Sequence, residues 1–150
     1  MRSYIVFAAL AGIAWGFGGY FEKTGLQALK IPSILGITLR SLIALIILGI
    51  LSIPAWKTIQ KHSDIRYWIM IIIGGGIIAG SLGMWSFYHA LSLSENLGIT
   101  LAIAFALSPV AGIITGMIRG DQKFDIRIGI GITAIIIGIV LIQLSHKKNE

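Results

Sequence analysis

Arg40 lies inside an otherwise apolar run, IPSILGITLRSLIALIILGILSIP, eight residues and about 12 Å of helix rise beyond Pro32. A guanidinium at that depth in lipid costs roughly 2.5–3.5 kcal/mol and needs an acid, helix-end carbonyls or water. Glu22, at the exit of the preceding apolar run, is on the same membrane side and is the nearest partner by topology. Two readings stand: a side chain that snorkels to headgroups, or a site or gate residue. A second set with chemical content is Ser81, Trp85 and Tyr88. At 100° per residue these cluster on one side of a helix, while Gly76, Gly80, Gly83 and Phe87 fall together on the other. Hydroxyls and an indole N–H in lipid need partners, so this face reads as a cavity lining or as an interfacial aromatic belt. Pro109 stands well inside a third apolar run, where it cannot donate to the Phe105 carbonyl and bends the helix. It is the candidate hinge, moving or static.

The chemistry of enzymes is missing. No cysteine is present, which excludes disulfides and thiolate metal sites. His62, His89 and His146 have no metal-ligand spacing. Gly74-Gly75-Gly76 lacks the Lys and Ser/Thr of a phosphate loop. No acid occupies the centre of a span. No cofactor, no metal and no catalytic residue are expected, and an enzyme is the least favoured reading.

The elements that must position these residues follow from composition. Of the 150 residues 56% are hydrophobic and 12% charged, with a mean hydropathy of +0.90. A soluble domain carries about a quarter charged residues, so most of this chain faces lipid. Five apolar runs reach the roughly 20 residues a bilayer core demands: about 4–21, 32–53, 67–90, 97–118 and 126–144. Runs such as Ile69–Ile73 lack the alternation of a membrane strand. The fold class is therefore all-α integral membrane, with five transmembrane helices in a single domain over residues 1–150.

Boundary signals accompany the runs. Pro32 suits the first turn of the second helix. Ser63 and Asp64 precede the third as cap and first-turn acid. Ser92-Leu93-Ser94-Glu95 has capping-box spacing ahead of the fourth, and Asp125 can cap the fifth. Pro54, with Trp56 beside it, ends the second helix at the interface. Met1-Arg2 and Ala9-Leu10-Ala11 mimic a leader, but the apolar run continues through Phe21, so a retained first helix is expected. The tail His146–Glu150 is too short to fold.

The net charge of +6 suits loops at an anionic lipid surface rather than nucleic acid, because the basic residues sit in short gaps between apolar runs. Arg2, Lys57, Lys61, Arg66, Arg119, Lys123 and Arg127 share the N-terminal side, seven against the four of Lys23, Lys30, Lys147 and Lys148. That bias places the N-terminus in the cytoplasm, with dual insertion open. Small residues recur at packing spacing: Gly12 and Gly16, Gly76 and Gly80, Gly112 and Gly116, with Ala134 and Gly138. Such pairs let helix backbones approach closely, within one chain or between copies.

Trp15-Gly16, Arg40, Tyr88-His89-Ala90-Leu91, Ser108-Pro109-Val110 and Gly120-Asp121 together resemble the EamA domain of the drug/metabolite transporter superfamily, over essentially the whole chain. Gly120-Asp121 stands where Gly-Glu is usual, and one five-helix unit stands where two are usual. The resemblance implies half of an inverted-repeat transporter fold, completed by a second copy or a paralogue in inverted orientation. It implies a pathway lined by Trp15, Ser81, Trp85, Tyr88, Thr100 and Ser108. It also implies a small-molecule substrate, an amphipathic metabolite or drug, exported by secondary transport across the plasma or inner membrane. Glu22 and His89 are the nearby titratable groups, both near helix ends, so movement down a gradient without proton coupling stays open. A non-transporting scaffold subunit and a lipid-linked-sugar flippase subunit are the alternatives. Against the flippase, its group has four helices and a glutamate at the centre of helix 1, where this chain has Ala or Gly.

Overall fold

The computed structural model describes residues 3–61, 64–121, 123 and 125–147, with the side chains of residues 60, 61, 143 and 145–147 outside the description. All elements among the described residues are helical. In chain order they are α1 (Ser3–Leu29), α2 (Ser33–Ser52), a 3-10 stretch (Ile53–Lys61), α3 (Ile65–Met70), a π-helical stretch (Ile71–Gly83), α4 (Met84–Leu93), α5 (Leu97–Ile118) and α6 (Ile126–Lys147).

Four spans among the described residues are long and apolar enough to cross a bilayer: Ser3–Leu29, Ser33–Ile59, Ile65–Leu93 and Leu97–Ile118. Ile126–Ile142 is a shorter apolar stretch. Side-chain burial points the same way. Leu26, Ile37, Tyr88 and Leu91 are buried, while Leu42, Leu45, Ile46, Leu48 and dozens of comparable residues are exposed. Water does not tolerate apolar surface on that scale; lipid does. The chain is an all-α, multi-pass membrane protein.

The chain packs as two compact units. One unit is Tyr20–Leu93, in which α2 packs on α4. The other joins Met1–Gly19 to Ser94–Glu150, and in it α5 packs on α6.

Several boundaries differ from the sequence reading, each for a local reason. The first helix does not stop near Phe21; α1 continues through Glu22 and Lys23 to Leu29. Polar residues end an apolar run without ending a helix, because the straight-chain types among them are good helix formers. Pro32 is the N-cap of α2 rather than its first helical residue, with an extended ψ of 138° and a carbonyl that accepts from Leu35 and Gly36 N–H. The capping box does not form ahead of α5. Ser92 belongs to the last turn of α4, where its hydroxyl donates to the His89 carbonyl. Asn96 is the cap, and its Oδ1 accepts from Ile99 N–H at 3.2 Å. Asp64 itself caps α3 through Arg66 N–H; Ser63 and His62 lie outside the described residues. Asp125 accepts from Arg127 N–H at 2.9 Å at the start of α6. Pro54 does not terminate the second helix outright, since α2 tightens into the 3-10 stretch, where Trp56 Nε1 donates to Ser52 Oγ at 2.8 Å.

The end of α5 explains one of the motif residues. Gly120 has φ +77°; its N–H bonds the Met117 carbonyl, and Asp121 N–H bonds the Gly116 carbonyl. This is a Schellman close, which wants a residue without Cβ at the left-handed position. Gly120-Asp121 is thus a helix stop, with Asp121 also 3.4 Å from Arg119 Nε.

Candidate functional site

Three helices of the Tyr20–Leu93 unit meet around one ion pair. Glu22 and Leu26 are one turn apart on α1, Gly36 and Arg40 one turn apart on α2, and Tyr88 and Leu91 three residues apart on α4, so each helix presents one stripe. Arg40 Nε lies 2.8 Å from Glu22 Oε1. The Tyr88 side chain hydrogen-bonds the same carboxylate, and as a phenol facing an anion it is the donor. Tyr88 is 2% exposed and Leu91 fully buried, and Leu26 and Ile37 are buried in the same unit. Gly36 makes the approach possible: a Cβ there would stand 2.5 Å from Leu26 Cδ2 and 3.4 Å from the Tyr88 ring.

The depth is informative. Glu22 lies seven residues before the end of α1, Arg40 seven after the start of α2 and Tyr88 five before the end of α4. These correspond to about 10, 10 and 7 Å of helix rise from ends on one membrane face, the face opposite the N-terminus. A lone guanidinium there would be costly; the carboxylate offsets that cost, and the phenol occupies a further lone pair. The side chains of Arg40 and Glu22 remain 36% and 21% exposed. The pair is therefore reachable at the rim of a packed core, and a charged or strongly polar solute could exchange with either partner.

The sequence-derived site residues separate. Arg40 and Tyr88 come together in this cluster. Ser81 and Trp85 do not join it: Ser81 Oγ donates to the Gly76 carbonyl, and Trp85 is 42% exposed and stacked on His89 at 5.9 Å. Trp85 and Tyr88 lie together on α4, where the 100° arithmetic holds; for Ser81 it fails, because Ile71–Gly83 is π-helical. Each turn there takes about one residue more than the 3.6 of an α-helix, so sites four apart no longer share a face. In the other unit, Trp15 stacks on Phe105 with centroids 5.2 Å apart and planes 6° from parallel. Thr100 is buried with its hydroxyl on the Asn96 carbonyl, Ser108 is exposed, and Pro109 lies within the continuous α5.

Among the described residues nothing lies within 4 Å of a Cβ added at Gly12, Gly16, Gly76 or Gly112. Close approaches are at Gly36, at Gly19 against Leu97 and Leu101, at Gly98 against Asn96, and at Gly80 and Gly83 against their own helix. Glu22 is the residue that sequence reasoning left outside the spans. Its signal was present in the Glu22–Leu26 spacing, once α1 is carried past Phe21.

Among the described residues no group of three or more His, Asp or Glu could hold a metal ion. Residues 2–144 match the EamA-like transporter family, and the chain belongs to it. No curated protein and no solved structure matches. Family membership makes the chain a transporter of the drug/metabolite type, in a family of transporters rather than enzymes.

Proposed function

We propose, from this membership in the EamA-like transporter family, that the protein is a secondary transporter that exports small amphipathic metabolites or drugs across the plasma or inner membrane, with its N-terminus in the cytoplasm. The observation that carries the reading is the Glu22–Arg40–Tyr88 cluster: an ion pair with a hydrogen-bonded phenol, partly exposed, in an otherwise apolar bundle. A scaffold has no use for a reachable ion pair at that depth, whereas a pathway needs polar groups that can change partners. Arg40 and Tyr88, with Trp15, Ser81, Trp85, Thr100 and Ser108, are the proposed pathway residues, and Pro109 the proposed hinge. One five-helix unit does not easily enclose a pathway and alternate its access, so the proposed working form is an antiparallel dimer with a second copy or an inverted paralogue.

The experiment is a thermal-shift screen of the purified protein against a panel of metabolites and drugs, followed by transport of each stabiliser in proteoliposomes. A ligand at a hundred times its Kd adds about 2.7 kcal/mol to the native state. A stabiliser that is transported, and whose stabilisation is lost in Glu22→Gln, supports the reading. No stabiliser across a broad panel moves the protein to the scaffold class. Abolition of pH-driven uptake in Glu22→Gln, at normal expression, would show proton coupling through that carboxylate.

A further inference from the structure

The third span is not one uniform helix. Between α3 and α4 it widens into thirteen residues of π-helix, Ile71–Gly83. Two bonds mark the wider turn: Met84 N–H reaches the Ala79 carbonyl, five residues back, and Ser81 Oγ reaches the Gly76 carbonyl, also five back. Most π-helix occurs as single-turn bulges, so a stretch of this length is held against the ordinary preference for α.

The composition explains why it can form and why it is not committed to the form. Glycine occupies positions 74, 75, 76, 80 and 83, and isoleucine 71, 72, 73, 77 and 78. Glycine costs about 1 kcal/mol in a helix interior relative to alanine, and β-branched residues cost several tenths. The segment therefore holds any one helical form weakly. Gly80 ties sequence to geometry: a Cβ there would stand 2.8 Å from the Gly75 carbonyl oxygen, a backbone atom that cannot swing aside. Gly83 meets the Ile78 carbonyl at 3.4 Å in the same way. Both approaches are to the carbonyl five residues back, but only the one at Gly80 is a clash; the one at Gly83 is an ordinary contact.

Rewinding to α has a defined consequence. Thirteen residues make roughly three turns as π-helix and about three and a half as α. Rewinding therefore lengthens the span and turns α4 about its axis relative to α3. Tyr88 and Leu91 sit buried on α4 just past the junction, with the Tyr88 ring 3.4 Å from where a Cβ on Gly36 would stand. Turning α4 withdraws the phenol from Glu22 and loosens the ion pair with Arg40.

We propose that Ile71–Gly83 is a conformational switch: in the π form Tyr88 is seated on Glu22 and braces the ion pair, which is reachable only at its rim, and rewinding to α withdraws Tyr88 and frees the pair. The cyclic use of this switch rests on the transport reading above; the existence of the two forms does not.

The cysteine-free chain permits a direct test. Spin labels at Tyr67→Cys on α3 and Leu93→Cys on α4, both exposed, report the length of the span by pulsed dipolar spectroscopy. Gly80→Ala sets a Cβ against the Gly75 carbonyl in the π form and so disfavours it, while an α-helix accommodates the change. Gly74→Ala carries the same gain in helix propensity, but its Cβ meets nothing within 4 Å among the described residues. The expected result is a label distance several ångströms longer in Gly80→Ala and unchanged in Gly74→Ala, with transport reduced at least tenfold in the former alone. An unchanged distance in Gly80→Ala, or equal lengthening in both variants, overturns the switch. Lengthening with transport intact overturns its role in the cycle. If the parent protein moves no solute, the transport reading falls and the cyclic role with it, while the distances still decide whether the segment rewinds.

Discussion

Arg40 is affordable in its span because of two side chains that come from other helices. Its Nε is 2.8 Å from Glu22 Oε1, and Tyr88 hydrogen-bonds the same carboxylate. Removing one member of a buried pair typically costs 3–5 kcal/mol, because the other charge is left uncompensated. Here both side chains are partly exposed, so Arg40→Gln is expected to cost less, about 2 kcal/mol. The double variant Glu22→Gln/Arg40→Gln, which leaves no charge, should recover more than half of that loss. Tyr88→Phe keeps the ring against Gly36 and removes only the donor; a hydrogen bond to a charged group contributes about 1.5–3 kcal/mol. Unfolding in mixed micelles measures all of these, and a double variant no more stable than Arg40→Gln alone would mean the two charges are not coupled.

At the scale of elements, the apolar spans were legible because lipid imposes length and polarity together, and Asp125 was legible as a cap because its chemistry is local. What stayed hidden depended on tertiary context. Nothing at Phe21 says whether the helix ends with the apolar run or continues in polar residues to Leu29. The glycines of Ile71–Gly83 look like packing surface until the helix is seen to be π-helical. Asn96, not Ser92, caps α5, its Oδ1 accepting from Ile99 N–H. Glycine itself has opposite meanings at two positions, and that is testable. Gly36→Ala drives a Cβ into Leu26 and the Tyr88 ring, an overpacking that costs about 1–3 kcal/mol. Gly12→Ala meets nothing within 4 Å among the described residues and should gain up to about 1 kcal/mol from helix propensity. Unfolding midpoints that move in opposite directions are the expected outcome; a destabilised Gly12→Ala would place another backbone against that face.

For the whole molecule the decisive question is what the open small-residue faces are for. Gly12 and Gly16 on α1, and Gly112 on α5, have no neighbour at Cβ distance among the described residues. Surfaces without side chains favour close helix approach in lipid, where packing rather than water drives association. An odd number of spans would put the two termini on opposite faces. Seven basic residues against four bias insertion only modestly, so both orientations are within reach of one sequence. An antiparallel pair of copies would then supply the inverted repeat that one unit lacks. Two measurements check this together. Reporters fused to the C-terminus, one active only inside the cell and one only outside, should both be active. Thiol crosslinking of Gly12→Cys in the otherwise cysteine-free chain should yield dimers in membranes that transport. Strict one-way insertion would exclude the antiparallel homodimer and leave an inverted paralogue as the partner. Monomers alone in transporting membranes would sink the paired form altogether, because a single five-helix unit would then have to alternate its own access.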